Sequence, residues 1–174
     1  VLPDGPADGV RDGIELDLQI KLGNLLMQTE GFGSAATVAA HTRAQALALA
    51  LGRSEQYALV CGGVAASLWS AGRFDEVSAL LSPLVAAGTG GVSPMIRVTM
   101  FVLLGLAKLT LGELDEARRL TDDAVRVLAT VPLAERQDIS GVDPRVVALT
   151  QSVSLSVHQG LLERADAETR EALA

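Results

Sequence analysis

Cysteine occurs once, at Cys61, which excludes an internal disulfide and a cysteine-built zinc site. Histidine is nearly as scarce. His41 and His158 lie far apart in sequence and lack the further ligands a metal would need, so they are expected on the surface or in a groove. Aromatic residues make up 3% of the chain: one Trp, one Tyr and three Phe. Positive charge is also short, with 14 Lys and Arg against 21 Asp and Glu and a net charge of −7. That balance argues against a surface that grips phosphates, so no direct nucleic-acid binding is expected. Residues 1–13 have neither the basic start nor the apolar run of a signal peptide. The longest uncharged stretch, residues 77–96, has a membrane-spanning length, but Pro83, Pro94 and Gly88-Thr89-Gly90-Gly91 are expected to break it. The expectation is a soluble, cytoplasmic protein with no membrane contact. Its first residue is Val rather than Met, and we read the 174 residues as a piece of a longer chain.

What the chain does have is aliphatic residues. Hydrophobic residues reach 49% and the mean hydropathy is +0.34, too apolar for a disordered segment. A junction recurs. Gly72-Arg73-Phe74-Asp75-Glu76-Val77 is echoed forty residues later by Gly112-Glu113-Leu114-Asp115-Glu116-Ala117. Gly160-Leu161-Leu162-Glu163-Arg164-Ala165 is a weaker copy, and Gly31-Phe32-Gly33 precedes the first by forty-one residues. Each Gly supplies the backbone angle that ends one helix, and the acidic residues beyond it favour the positive start of the next.

Four helix pairs follow: 14–30 with 35–51, 54–71 with 74–87, 93–111 with 113–131, and 143–159 with 161–174. In the sixth helix Leu114, Ala117, Leu120, Ala124, Val127, Leu128 and Val131 form one stripe, as in a helix covering a core from outside. Residues 56–72, 98–107 and 146–162 carry no formal charge, as inner helices of a solenoid would. The alternation Val153-Ser154-Leu155-Ser156-Val157 has strand period, but its place in the repeat calls for helix. Two connections, residues 88–92 and 131–142, are long or Gly-rich and are read as poorly ordered linkers, with a functional loop as the alternative.

The third pair resembles the tetratricopeptide repeat. Phe101, Leu104 and Gly105 stand at the Trp-Leu-Gly positions of its first helix. Gly112, Ala117 and Ala124 stand at the turn Gly and the two small positions of its second. Thr121 replaces the usual aromatic and Ala129 the closing Pro. The second and fourth pairs match more loosely, through Val77 and Ala165. Over most of its length the chain is also similar to the helical region of large bacterial STAND-type signal-transduction ATPases, with LuxR-type or antibiotic-regulator DNA-binding domains or fused adenylate-cyclase domains. The matching segments are Leu2-Pro3-Asp4-Gly5-Pro6, Glu15-Leu16-Asp17-Leu18-Gln19, Leu22-Gly23, Gly31-Phe32, Arg43-Ala44, Leu51-Gly52 and Gly141-Val142-Asp143-Pro144. This resemblance implies a sensor and protein-interaction array that follows a nucleotide-binding domain.

Chemical motifs give little. Gly31-Phe32-Gly33-Ser34-Ala35-Ala36 fits a dinucleotide fingerprint, but Leu16, Ile20, Gly23 and Met27 before it have helical spacing where a strand is needed, so a helix-to-helix turn is expected. Gly88-Thr89-Gly90-Gly91-Val92-Ser93 lacks the Lys of a phosphate-binding loop. Cys61, among Leu59, Val60 and Val64, reads as a small core residue rather than a nucleophile. Asp122 and Asp123 point about 100° apart on a helix and read as a solvated face. The Asp-Gly pairs at Asp4, Asp8 and Asp12 read as turns rather than a calcium loop. Tyr57 and Trp69 read as core aromatics, with groove anchors as the alternative.

The expected architecture is all-α: a tetratricopeptide-like superhelix of about four antiparallel helix pairs over residues 14–174, after an N-terminal linker at 1–13. The expected function is an interaction and sensor module of a bacterial regulatory ATPase, of the transcriptional-regulator kind, that binds rather than catalyses and uses no cofactor. The alternatives are a small-molecule-binding regulatory domain and the helical region of an adenylate-cyclase-fused protein. Expected partners are a protein or peptide, neighbouring domains of the parent chain, or a small effector; a homo-oligomer stays open. Repeat inner-face positions place Asn24, Gln28, Trp69, Thr99, Thr110, Thr150, Ser154 and His158 on the concave surface, a neutral, hydroxyl-rich face with Trp69 as its anchor.

Overall fold

The computed structural model describes residues 8–88, 91–132, 136 and 144–173. Among them are eight helices and no strand: α1 (Asp8–Thr29), α2 (Ala35–Ala50), α3 (Ser54–Ser70), α4 (Phe74–Ala86), α5 (Pro94–Thr110), α6 (Leu114–Leu128), α7 (Pro144–His158) and α8 (Leu162–Ala172). Each helix packs on the next in sequence. The backbones of the odd-numbered helices also pack close to one another, α1 on α3, α3 on α5 and α5 on α7, whereas those of the even-numbered helices do not, α6 and α8 meeting through long side chains. The chain is therefore an antiparallel helical superhelix of four pairs, with an inner layer of odd helices and an outer layer of even ones.

The recurring junction has one hydrogen-bonding pattern. Arg73 N donates to Leu68 O at 2.9 Å and Glu113 N to Lys108 O at 2.9 Å, with Gly72 and Gly112 between at φ +73° and +81°. Only a residue without a Cβ adopts that angle cheaply, so the glycines close the first helix and aim the second. Ser34 and Ser93 cap α2 and α5, their hydroxyls accepting from Thr37 N and Ile96 N.

Two apolar clusters fill the array. One joins α3 to α7 around Val77, Leu81, Met100, Leu104, Leu120 and Leu128. The other holds α1, α2 and α3 together through Leu16, Ala44, Leu47 and Val60, and Tyr57 packs against both. The tetratricopeptide-like positions serve close approach, since Phe101, Leu104, Gly105, Ala117 and Ala124 are all buried. Cys61 is buried, as expected of a core residue.

Some expectations need correction. Helix α1 begins at Asp8, so Asp8-Gly9 and Asp12-Gly13, read as turns, lie inside it; Asp4 falls outside the described residues. No continuous helix spans residues 77–96, as expected, since α4 ends at Ala86 and α5 begins at Pro94, but Pro83 is not one of the breaks. It lies inside α4 on an exposed face, where the missing N–H costs least. Asp122 keeps part of its side chain in solvent, as read, with Arg164 at 3.5 Å, whereas Asp123 is more enclosed and pairs with Arg126 at 2.5 Å. Residues 89–90 and most of 131–142 lie outside the described residues, so the two linker readings do as well. Among the described residues no helix is long and apolar enough to cross a membrane.

Candidate binding cleft

A run of small side chains opens the inner layer. Ala58, Gly62 and Ala66 recur every four residues on one face of α3, with Gly63 beside them, so this helix presents a recessed wall. Gly62 lies close to α5, where an added Cβ would stand 3.3 Å from Thr99 Cγ2. Facing the wall are Ile20, Asn24 and Met27 of α1, Ile96, Thr99, Val102, Leu103 and Leu106 of α5, and Pro144 and Val147 of α7. Phe32, from the α1–α2 turn, and Trp69, near the end of α3, complete the rim. Together they bound a partly open cleft of about 410 Å³, a volume ordinary for small-ligand sites.

Among the described residues no Asp, Glu, Lys or Arg lines the cleft. Its hydroxyl protons are already engaged: Thr99 Oγ1 donates to Met95 O at 3.1 Å and Ser70 Oγ to Ser67 O at 2.9 Å. The remaining polar groups are Asn24, the Trp69 indole and one imidazole. That imidazole belongs to His41 of α2, which is 2% exposed and yet reaches the cleft wall. Its Nδ1 is enclosed with no hydrogen-bond partner, and burial lowers its pKa, favouring the neutral ring. Nearby, burial also pushes the Cys61 thiol up, against an opposing hydrogen bond from Gln45 Nε2 at 3.3 Å. A buried, protonated thiol is a poor nucleophile.

The residues expected on the concave surface divide between two places. Asn24, Trp69 and Thr99 line the cleft. Gln28, Thr110, Thr150, Ser154 and His158 do not. Thr110, Thr150 and Ser154 donate back to Leu106 O, Val146 O and Thr150 O, and His158 Nδ1 lies 2.7 Å from Ser154 O. Trp69, read first as a core aromatic, is 39% exposed and stands edge-on to Phe74 with ring centroids 6.4 Å apart. That places it at the alternative position, in the groove. The sequence reading missed Phe32, Met27 and the apolar α5 residues as cleft walls, and it missed His41 as a buried one. The four-residue spacing of Ala58, Gly62 and Ala66 was the available signal.

The glycine-rich turn at residues 31–33 follows a helix rather than a strand, which removes the context a dinucleotide site needs. Among the described residues no three His, Cys, Asp or Glu side chains gather as a metal site would require. No family model, curated protein or solved structure matches the chain.

Proposed function

We propose that this chain is the binding and sensing array of a larger regulatory protein, and that it acts by taking an apolar occupant in the inner-face cleft rather than by catalysis. The observation that carries this reading is the cleft itself: a partly open, uncharged recess framed by three or more helices of the inner layer. An occupant that bridges α1, α3 and α5 changes how successive pairs stack, and a solenoid passes such a change along its length. The resemblance to STAND-type regulators supplies the context: a cytoplasmic ATPase whose switching between inactive and active states is biased by what binds here. A transcriptional output fits that resemblance, and so does an adenylate-cyclase output.

The test uses the parent protein. Its ATP turnover is measured with and without candidate effectors and partners, first with the native array and then with Trp69→Ala. A response lost in the variant at unchanged basal turnover supports the reading. An undiminished response sinks it.

A further inference from the structure

His41 reaches the cleft by an unusual route. It belongs to the outer helix α2, and its ring passes between two inner helices, α1 and α3, both of which carry glycine at the crossing. A Cβ built at Gly23 would stand 2.5 Å from His41 Cδ2 and 2.6 Å from Nε2; one built at Gly63 would stand 2.8 Å from both Cε1 and Nε2. Such separations are far inside van der Waals contact, so a side chain at either position would force the ring to move. The two glycines form a notch that admits the Nε2 edge of one imidazole to a wall otherwise built mainly of carbon.

Burying a polar ring there without a partner is costly, because an enclosed polar atom that lacks a hydrogen bond forfeits its hydration. Nδ1 has no partner, and orphaned buried N–H groups are rarer than under-used acceptors. The neutral ring therefore favours the tautomer with its proton on Nε2, at the edge that fronts the cleft. Among the described residues no cation lines the cleft to offset an anionic ligand, and no carboxylate to offset a cationic one.

We propose that the cleft is the site of an uncharged, largely apolar small molecule that carries one oxygen acceptor and receives a hydrogen bond from His41 Nε2 through the Gly23–Gly63 notch. The inference rests on the reading of the cleft as the functional face and narrows its occupant. About 410 Å³ accommodates roughly fifteen non-hydrogen atoms with room to spare. Trp69, the single tryptophan of the chain, lines the cleft and so reports occupancy through its own emission.

Three probes of one size separate the terms: valerophenone, its hydrocarbon counterpart pentylbenzene, and the carboxylate 5-phenylpentanoate. Each is titrated by calorimetry and Trp69 emission into the native chain and into His41→Phe. Saturable binding of valerophenone is expected, weakened about tenfold in the variant, while pentylbenzene keeps or improves its affinity. 5-Phenylpentanoate is expected to bind at least tenfold more weakly than the ketone. A second measurement needs no variant: the His41 Nε2 resonance of the native chain shifts with valerophenone and not with pentylbenzene. Equal loss of ketone and hydrocarbon in the variant, an unmoved Nε2 resonance, or tighter binding of the carboxylate overturns the proposal. Absence of binding by all three probes also overturns it. If Trp69→Ala still abolishes the parent's response in that case, the binding-array reading stands without it.

Discussion

Arg118 of α6 and Glu168 of α8 pair at 3.3 Å across two serines of α7, although the backbones of α6 and α8 do not come close to one another. Arg118 donates to Ser152 Oγ at 2.8 Å and Ser156 Oγ at 2.7 Å, and each serine in turn donates to one oxygen of Glu168 at 2.7 Å. Arg164 adds a further donor to the same carboxylate at 2.8 Å. The last two helix pairs are thus joined by a fully occupied polar network where the earlier pairs are joined by aliphatic packing.

This network predicts acid sensitivity. Burial alone pushes the Glu168 carboxyl up, but hydrogen bonds from Ser156, Ser152 and Arg164 and the charge of Arg118 outweigh it and hold the group below its ordinary value. A carboxylate with a lowered pKa in the folded state stabilises the fold above its unfolded pKa of about 4.3, and that contribution fades as pH falls through the lower folded value. Thermal unfolding of the native chain should therefore weaken more steeply below about pH 4.3 than that of Glu168→Gln. At neutral pH, Glu168→Ala should cost about 3 kcal/mol by stranding a half-buried guanidinium. Identical pH slopes for native and Gln chains would remove Glu168 from the account.

Gln151 predicts the opposite outcome. It is 2% exposed on α7, and neither its amide nitrogen nor its amide oxygen has a partner. Methionine keeps nearly the same shape without the desolvated amide. Gln151→Met should raise stability by about 1 kcal/mol in denaturant unfolding. A fall in the midpoint would mean that the amide is satisfied in solution.

Gly105 is what gives Gln151 its room. A Cβ there would collide with Gln151 Nε2 and stand 3.5 Å from Thr121 Oγ1, so the tight contact runs from α5 to α7 as well as to its paired helix α6. Gly105→Trp should leave the chain unfolded by circular dichroism, since the ring has no space on either side. Gly105→Ala should be milder, costing about 1–3 kcal/mol, and should be partly rescued by Gln151→Ala. Failure of that rescue would place the strain elsewhere.

The helix pairs were legible in the sequence because each junction repeats a glycine and an acidic start, and because the inner helices lack charge. The strand-like alternation at 153–157 was misleading for a local reason. Ser152 and Ser156 face the Arg118–Glu168 network one turn apart, Leu155 enters the core, and Val157 is left exposed, so polar and apolar residues alternate along a helix. The cleft was legible only in part. Inner-face positions of a repeat include Asn24, Trp69 and Thr99, but they include no residue of an outer helix. His41 enters from α2 because Gly23 and Gly63, forty residues apart, happen to face each other. Nothing in one-dimensional spacing pairs those glycines.

Trp69 decides between an apolar and an electrostatic mode of recognition. Its side chain is 39% exposed and rests on Phe74 at the cleft rim, outside both buried clusters. Truncation should therefore cost little folding stability, within about 1 kcal/mol. Its effect on binding should be larger, because an aromatic anchor at the mouth of an uncharged recess removes much of the apolar area an occupant can bury. We expect Trp69→Ala to weaken binding of the cleft's apolar occupant, probed with valerophenone, by about 2 kcal/mol or some thirtyfold. Raising the salt concentration should change that affinity little, since the described residues of the cleft lining include no charged side chain to be screened. Titrations of native and Trp69→Ala arrays at low and high salt check both statements together. Binding that collapses with salt yet survives the loss of Trp69 would move recognition to the acidic outer surface and away from the cleft.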